Sequence, residues 1–255
     1  MNIINKFQHF LSRSKWVVKL AIKLKNQCNI IIGDSLAPDH LSEKNGELLF
    51  LKTLAGKVKV FIDVGANKGE WTEDILALNP QAEKGILLEP NPGCMMILKN
   101  KFGSSQGIEI LEMACSDQSG GSIFFAEPDG GETSSLSSSG TNNATKIEVR
   151  VTTIDELVNE RTLHHIDYLK IDVEGFDLHV IKGASETLRK GIIDVIQFEY
   201  NKTWRNNGST LYNAFSILES YGYKTFCLTK KGLINLDINK YGEFYAYSNF
   251  ISMKE

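Results

Sequence analysis

The chain has few of the sequence features that identify disulfide-rich, zinc-binding, membrane-spanning or nucleic-acid-binding proteins. Among its 255 residues are only four cysteines, which lie far apart and form no Cys-x-x-Cys pair. This scarcity argues against a disulfide framework or a zinc site and predicts reduced thiols in a cytoplasmic protein. No uncharged run approaches the roughly 20 residues of a membrane span, and no small-residue cleavage site follows an apolar core at the N-terminus. The formal net charge of -3 lacks the basic excess of a nucleic-acid-binding protein, so we expect no nucleic acid among its partners.

The chain does have an apolar content of 42%, enough for the core of one α/β domain, which we predict over residues 41–255. Residues 1–40 are predicted to be a helical extension, because residues 1–33 hold six basic and no acidic residues and their apolar residues recur at helical spacing. Packing of these amphipathic helices on their own domain, or on a second subunit of a homo-oligomer, is the favoured interpretation. Peripheral attachment to the inner face of a membrane is the alternative, since anionic headgroups attract cationic helices.

The rest of the chain is organised around residues 60–71, VFIDVGANKGEW. An apolar run that ends in Asp63 is followed by Gly65, Gly69 and a helix-like segment, which predicts a buried strand that turns tightly into a helix. Glycine lets a ligand approach the main chain, and the helix N-terminus adds partial positive charge. The turn therefore predicts a site for part of a small cofactor, against the alternative of an ordinary tight turn.

The choice of cofactor is narrowed by the absence of a middle glycine from this turn. A dinucleotide site needs G-x-G-x-x-G to bring bare backbone to a pyrophosphate, but Ala66 and Asn67 fill the middle here. Asp63 at the end of the strand suits a cationic amine, and S-adenosylmethionine carries an ammonium and a sulfonium but no phosphate. An NAD(P)-dependent Rossmann oxidoreductase is a competing hypothesis, because it shares the strand, the glycine turn and a distal acid.

Two further strand ends carry polar residues. The segment GILLE predicts a second parallel strand with Glu89 at its tip, about 20 residues beyond the glycine turn, where doubly wound folds bind a ribose diol. Glu89 is therefore the predicted ribose ligand, with Asn91 assisting. A third predicted strand, residues 108–114, runs into Ser116 and Asp117, which we expect to border the adenine.

An added pair of strands is predicted near residues 122–126 and 146–152, where the second segment alternates in period two. The loop between them, residues 127–145, is rich in Gly, Ser, Thr and Asn. It is either solvated or a lid that orders over substrate, with Ser134 and Ser135 as candidate contacts.

A second informative stretch, IDYLKIDVEGF, places Asp172 and Glu174 after another buried strand. Acids at this edge of a sheet cost desolvation free energy unless they meet a cation or hydrogen-bond donors, which favours a functional role over a pair of N-capping residues. A later strand carries Glu199 near its tip, and Trp204 follows as a candidate stacking surface for a sugar. The three carboxylates are candidate catalytic groups, and as an all-oxygen set they suit Mg²⁺ or Ca²⁺ better than zinc.

Strands and helices alternate along the domain, and the final two strands are joined by a turn-rich connection. This pattern predicts an α/β fold with a mostly parallel sheet, helices on both faces and an antiparallel last pair of strands.

Six motifs in this order resemble the FkbM-type S-adenosylmethionine-dependent methyltransferases. They are FIDVGANKGEW, ILLEPNP, MACSDQSG, TTIDEL, YLKIDVEGFDLHVIKGA and FEYN, and they span about residues 58–201. The resemblance implies a Rossmann-like class I methyltransferase fold with a seven-stranded sheet. It also implies methylation of a hydroxyl oxygen on a small molecule or glycan, such as a sugar or a secondary metabolite. One departure is Asp177, where the family usually carries glutamate.

The resemblance assigns strand-end residues to parts of the cofactor. The methionine part would be surrounded by Asp63, Gly65, Asn67 and Gly69, the ribose held by Glu89, and the adenine bordered by Ser116 and Asp117.

For catalysis, the resemblance places Asp172 beside the reacting centre. We expect either that Glu174 or Glu199 takes the proton of the acceptor hydroxyl, or that Mg²⁺ held by these three carboxylates lowers the pKa of that hydroxyl. A non-catalytic, methyltransferase-like scaffold is a further alternative.

Overall fold

The computed structural model describes residues 3–36, 45–126, 136 and 145–254. The strands of these residues, numbered along the chain, are β1 (Val60–Val64), β2 (Lys84–Leu88), β3 (Ile108–Leu111), β4 (Ala114–Cys115), β5 (Gly120–Ala126), β6 (Thr145–Thr152), β7 (Ile166–Ile171), β8 (Ile193–Tyr200), β9 (Tyr223–Thr229), β10 (Gly232–Ile234) and β11 (Ser248–Lys254).

Eight of these strands form the main sheet, in the order β10-β9-β11-β8-β7-β1-β2-β3. Each neighbouring pair from β8 to β3 is parallel, whereas β11 runs antiparallel between β8 and β9. The predicted antiparallel final strand is therefore confirmed. The short strand β10 pairs antiparallel with β9 at the sheet edge and adds an eighth strand to the seven that we expected. The sheet is mixed because β11 runs antiparallel to both of its neighbours. The three residues of β10 are too few to carry a readable alternation.

Helices cover both faces of the main sheet, as predicted. The helices of the described residues, numbered along the chain, are α1 (Ile3–Ser12), α2 (Lys15–Leu36), α3 (Glu47–Thr53), α4 (Glu70–Leu78), α5 (Pro92–Phe102), α6 (Ile154–Glu160), α7 (Asp177–Lys182), α8 (Ser185–Lys190), α9 (Leu211–Ser220) and α10 (Ile238–Tyr241), with a 3-10 helix at Lys202–Asn207.

Alternate residues of the central strands feed two separate cores. On β1, Phe61 packs with the apolar sides of α3, α4 and α5, whereas Ile62 packs with those of α6 to α9. Because both faces of the strand are covered, it shows the continuous apolar sequence of a central parallel strand rather than an alternating one. This two-sided core fixes the ends of the strands at one edge of the sheet.

The predicted third strand over residues 108–114 is divided. Its first part is β3 in the main sheet, and after a break β4 joins β5 and β6 in a separate sheet of order β4-β6-β5. The expected pairing of β5 with β6 is confirmed, and it is antiparallel. Ser134 and Ser135, the candidate lid contacts, lie outside the described residues.

The N-terminal helices extend away from the domain. α1 buries no residue, and α2 buries only Gly33 and Leu36, both near its end. Packing on the chain's own domain, part of the favoured interpretation, is thus confined to the last turns of α2. No helix among the described residues is long and apolar enough to cross a membrane. The predicted boundary at residue 40 falls outside the described ranges, so the division into an extension and a domain stays a prediction.

Candidate active site

A cavity of about 810 Å³ lies at the carboxyl ends of the central parallel strands. Ligand sites of open α/β sheets occur at this edge, and the volume falls within the range of roughly 300 to 1,000 Å³ that small-molecule sites occupy. Most of the predicted site residues line it, namely Gly65, Asn67, Glu89, Asn91, Asp172, Glu174 and Glu199.

Gly65 allows the loops after β1 and β7 to touch. Its φ of +80° lies in the left-handed region, and a Cβ built on it would stand 1.9 Å from the carbonyl oxygen of Asp172. A side chain at this position would therefore push the Asp172 loop out of place. The glycine therefore lets the loop after β1 lie against the loop that carries Asp172.

Glu89 is held in a fixed orientation by main-chain donors. Its two carboxylate oxygens accept hydrogen bonds from the backbone N–H groups of Asn67 at 2.9 Å and Asn91 at 2.8 Å. Burial raises the pKa of Glu89 to about 7 although these hydrogen bonds act in the opposite direction. Each oxygen retains a lone pair, so the carboxylate is suited to accept hydrogen bonds from two ligand hydroxyls.

Asp63 and Gly69 lie behind the cavity wall. Asp63 is completely buried, accepts a hydrogen bond from the Thr72 hydroxyl at 2.6 Å, and lies 3.8 Å from the Lys170 ammonium. Gly69 precedes α4 and packs against the side chains of Leu98 and Phe102. Asp63 thus faces the cavity through Lys170, which lines it, rather than by direct contact.

Ser116 and Asp117 are not among the residues that line the cavity in the described part of the chain. The Ser116 hydroxyl donates to Asp117, whose other oxygen lies 3.2 Å from Nδ1 of His179. The wall on this side is formed instead by residues 113–115, because the chain leaves the main sheet after β3 and enters the small sheet. The local sequence does not reveal this break.

Three acids converge at the other end of the cavity. Carboxylate oxygens of Asp172, Glu174 and Glu199 lie within 4.8 Å of one another. The buried Lys170 ammonium lies 3.0 Å from Oδ2 of Asp172, and the Asn201 amide donates to Glu199 at 2.5 Å. Burial, and then repulsion by Asp172 and Glu174, raises the pKa of Glu199 well above its ordinary value.

Asp177 forms hydrogen bonds with both segments that carry these acids, the loop after β7 and the end of β8. It is fully buried, and its carboxylate accepts from the backbone N–H of Gly175 at 3.2 Å and from that of Glu199 at 3.3 Å. Burial, followed by the nearby Asp172 charge, raises the pKa of Asp177 to about 8. Nothing in the local sequence indicates that this residue lies under the acid cluster, where its hydrogen bonds hold the loop after β7 against β8.

Glu47 and Tyr247 also line the cavity and were missed in the sequence. Glu47 belongs to α3 and is bonded by the Gln197 amide, 150 residues away, which in turn accepts from the Tyr168 hydroxyl. No local motif signals this contact, because it arises from the packing of an N-terminal helix against the centre of the sheet. Burial raises the pKa of the Glu47 carboxyl.

The proposed stacking role of Trp204 is wrong. The 3-10 helix turns its ring inward, where it is fully buried against Phe198 and Tyr200. The aromatic side chains on the cavity wall nearby are instead Tyr245 and Tyr247.

Comparisons with known proteins find a matching family model and a relative. The model of the methyltransferase FkbM domain matches residues 63–225, more than half of the chain. The 2-O-methyltransferase NoeI of Sinorhizobium fredii is 28% identical over 145 residues, which cover 51% of this chain and 59% of that protein. The chain thus matches less than two thirds of this relative's length.

A solved structure shows a similar fold. The FkbM methyltransferase of Methylobacillus flagellatus aligns with a TM-score of 0.50 and 14% identity, over 76% of this chain and 43% of that one. The precorrin-6y C5,15-methyltransferase of Geobacter metallireducens aligns with a TM-score of 0.45 and 13% identity, over 82% of this chain and 88% of that one.

Proposed function

This chain belongs to the FkbM methyltransferase family, and from that premise we propose that it transfers a methyl group from S-adenosylmethionine to a hydroxyl of a sugar, a glycan or a secondary metabolite. The observation that carries the proposal is the cavity that has Glu89 at one end and the three-acid cluster at the other. Membership of a methyltransferase family favours methyl transfer over the hydride transfer of an oxidoreductase.

The residues present fit this cofactor. S-adenosylmethionine, when bound, supplies a methyl group on a sulfonium leaving group, so the protein has no leaving group of its own to activate. Acidic side chains outnumber basic ones along the cavity wall, which suits a ligand with two cationic centres. Glu89 would hold the ribose hydroxyls, and the loop of Gly65 and Asn67 would lie along the methionine part.

We assign proton removal to Glu199. Its raised pKa makes it a stronger base than an exposed glutamate once it is ionised, and the Asn201 amide fixes its orientation. The acceptor hydroxyl would give its proton to a Glu199 oxygen as the new carbon–oxygen bond forms. Asp172, held by Lys170, would orient the acceptor, and alignment of this kind is worth roughly 7 to 11 kcal/mol in favourable cases.

A divalent cation at the acid cluster is the second candidate mechanism. The mutual spacing within 4.8 Å fits Ca²⁺, on which two oxygens lie at most about 5 Å apart, but gives no support to Mg²⁺, for which the limit is about 4.2 Å. The ion would then lower the pKa of the acceptor hydroxyl, with Asp172, Glu174 and Glu199 as ligands. Chelation with EDTA separates the two mechanisms, since proton transfer to Glu199 survives the chelator and metal-assisted transfer does not.

The proposed class of acceptor molecule is inferred from the side chains on another part of the cavity wall. Hydroxyl and amide groups of Asn201, Thr203 and Tyr247 line it together with Tyr245. Such a mixture of hydrogen-bonding groups and aromatic rings suits a polyhydroxylated molecule. The relative NoeI is a 2-O-methyltransferase, which supports oxygen as the methylated atom here.

Calorimetric titration with S-adenosylhomocysteine tests the proposal first. We expect saturable binding, and we expect Asp172→Asn to bind within a few fold of the wild type while it loses transfer of labelled methyl to glycan and nucleotide-sugar extracts. Glu219→Gln, an exposed change on α9, is the control and should alter neither property. Equal loss of binding and transfer in Asp172→Asn would contradict its role, absence of binding would favour a scaffold, and NADH binding would restore the oxidoreductase hypothesis.

A further inference from the structure

The two N-terminal helices present an apolar surface to solvent. Along α1, the residues at positions 3, 7 and 10 repeat at helical spacing, and Phe7 is 61% exposed. Along α2, Leu20, Leu24 and Ile31 continue a stripe, with Leu24 57% and Ile31 68% exposed. Exposed apolar residues in a contiguous stripe mark an interaction surface rather than ordinary surface variation.

We define residues 3–36 as the N-terminal arm. The charge of this arm indicates which kind of partner it binds. Six of the chain's 28 basic residues and none of its 31 acidic ones lie in residues 1–33. Lys15, Lys19 and Lys23 recur every fourth residue of α2, so they form one row beside the apolar stripe. A helix with a basic row and an apolar stripe is suited to lie in the headgroup region of an anionic bilayer.

A second copy of the chain fits this surface poorly. In a symmetric dimer the same patch meets itself, so the basic rows of the two arms would lie close together. Residues 1–33 contain no acidic side chain that could neutralise them. Juxtaposed like charges of this kind disfavour a second copy of the chain at this surface.

The arm is anchored next to the cavity. Near the end of α2, Gly33 packs so closely on Ala246 that a Cβ built on the glycine would stand 2.4 Å from the alanine Cβ. Ala246 lies between Tyr245 and Tyr247, which both line the cavity. A surface that binds the arm is therefore held near the acceptor end of the candidate site.

We propose that residues 3–36 dock the protein on the surface of an anionic lipid bilayer, with the apolar stripe among the acyl chains and the lysine row at the headgroups. This goes beyond methyl transfer and does not depend on it. The helices lie along the surface, consistent with the finding that none among the described residues is suited to span a bilayer.

Trp16 provides a direct probe of docking. It lies on the arm and is 71% exposed, whereas Trp71 and Trp204, the other two tryptophans, are 7% and 0% exposed. Vesicles of phosphatidylcholine and phosphatidylglycerol in equal parts should shift the fluorescence of the full-length protein to the blue and shield Trp16 from acrylamide. Vesicles of phosphatidylcholine alone should do neither at the same lipid concentration, and Trp16→Phe should lose the signal.

The triple variant Lys15→Gln, Lys19→Gln, Lys23→Gln tests the electrostatic part. Because each basic residue near an anionic surface contributes about a fivefold increase in binding, the variant should cosediment with the mixed vesicles about a hundredfold more weakly. The matched control replaces three exposed lysines of the domain, Lys52, Lys190 and Lys240, with glutamine and should bind as the wild type does. S-adenosylhomocysteine titration of each variant reports the domain separately from docking.

Three results would overturn the proposal. They are equal cosedimentation of the two triple variants, absence of binding to the anionic vesicles, and a dimer in light scattering that Phe7→Ser with Phe10→Ser dissociates. The last result would assign the apolar stripe to a second copy of the chain.

Discussion

At the scale of single residues, the candidate site depends on acids whose protonation is shifted by burial. Glu89 has a pKa of about 7, raised from 4.5, so it changes charge near neutral pH. The folded chain holds this proton more tightly than the unfolded chain does. Its contribution to stability is therefore fully present below pH 4.5 and is lost as the pH rises through about 7.

The affinity for S-adenosylhomocysteine should depend on pH in the opposite direction from the stability contribution of Glu89. In the proposed complex the ionised Glu89 would accept from two ribose hydroxyls, so binding should tighten as the pH rises through about 7 and then level off. Glu89→Gln should weaken binding by about 10-fold to 100-fold, since hydrogen bonds to a charged group contribute about 1.5 to 3 kcal/mol, and should flatten the pH dependence. Calorimetry across this pH range measures both effects. Wild-type-like affinity and pH dependence in Glu89→Gln would remove Glu89 from the ribose site.

Substitution of the two candidate bases identifies which one takes the proton. Glu174 raises the pKa of Glu199 by charge repulsion, so Glu174→Gln should keep turnover and move the acidic limb of its pH profile to lower pH. Glu199→Gln should lose turnover by about 100-fold or more, the usual range for a general base. Rates of methyl transfer as a function of pH give the answer. Loss of turnover in Glu174→Gln, with activity kept in Glu199→Gln, would reverse the assignment.

At the scale of elements, the site is built where the loops after β7 and β8 meet. Asp177 accepts from the backbone N–H of Gly175 in the loop after β7 and from that of Glu199 near the end of β8, and the Asn207 amide donates to the Gly175 carbonyl at 3.2 Å. These hydrogen bonds hold the main chain around the cluster in place, while contacts with Lys170 and Asn201 orient the side chains of Asp172 and Glu199.

Two variants of Asp177 separate positioning from stability. Asp177→Asn leaves one buried N–H without an acceptor, and Asp177→Glu keeps both acceptors but adds a methylene to a packed site. Each should lower the free energy of unfolding by about 1 to 3 kcal/mol. Measured above pH 8, where the native carboxylate is ionised, only Asp177→Asn should also lower kcat, with S-adenosylhomocysteine affinity unchanged. Equal kcat in the two variants would make the role of Asp177 purely structural.

Elements were also the scale at which the sequence was most informative. Residues such as Glu89 and Asp172 were placed together because parallel strands end at one edge, a rule that needs only the order of strands and turns. Glu47 and Asp177 were not, because their positions come from contacts between distant segments and from side-chain direction. Trp204 was misplaced for a similar reason, since burial of a residue in an irregular loop has no periodic signal.

At the scale of the whole molecule, charge is distributed unevenly. The arm is exclusively basic up to residue 33, whereas the cavity is rich in acids. The chain therefore has a net charge near zero but two regions of opposite sign, one suited to an anionic surface and one to a cationic cofactor. Composition alone conceals this separation, and the net charge of -3 gives no hint of it.

The borders of the main sheet have a consequence for self-association. Its outermost strands, β10 and β3, have only three and four residues, so each offers few unpaired backbone groups to a neighbouring molecule. Long, flat borders are templates for edge-to-edge aggregation, and truncated ones are a common protection against it. The main sheet is therefore protected against growth by strand addition at high local concentration, such as crowding on a two-dimensional surface would produce.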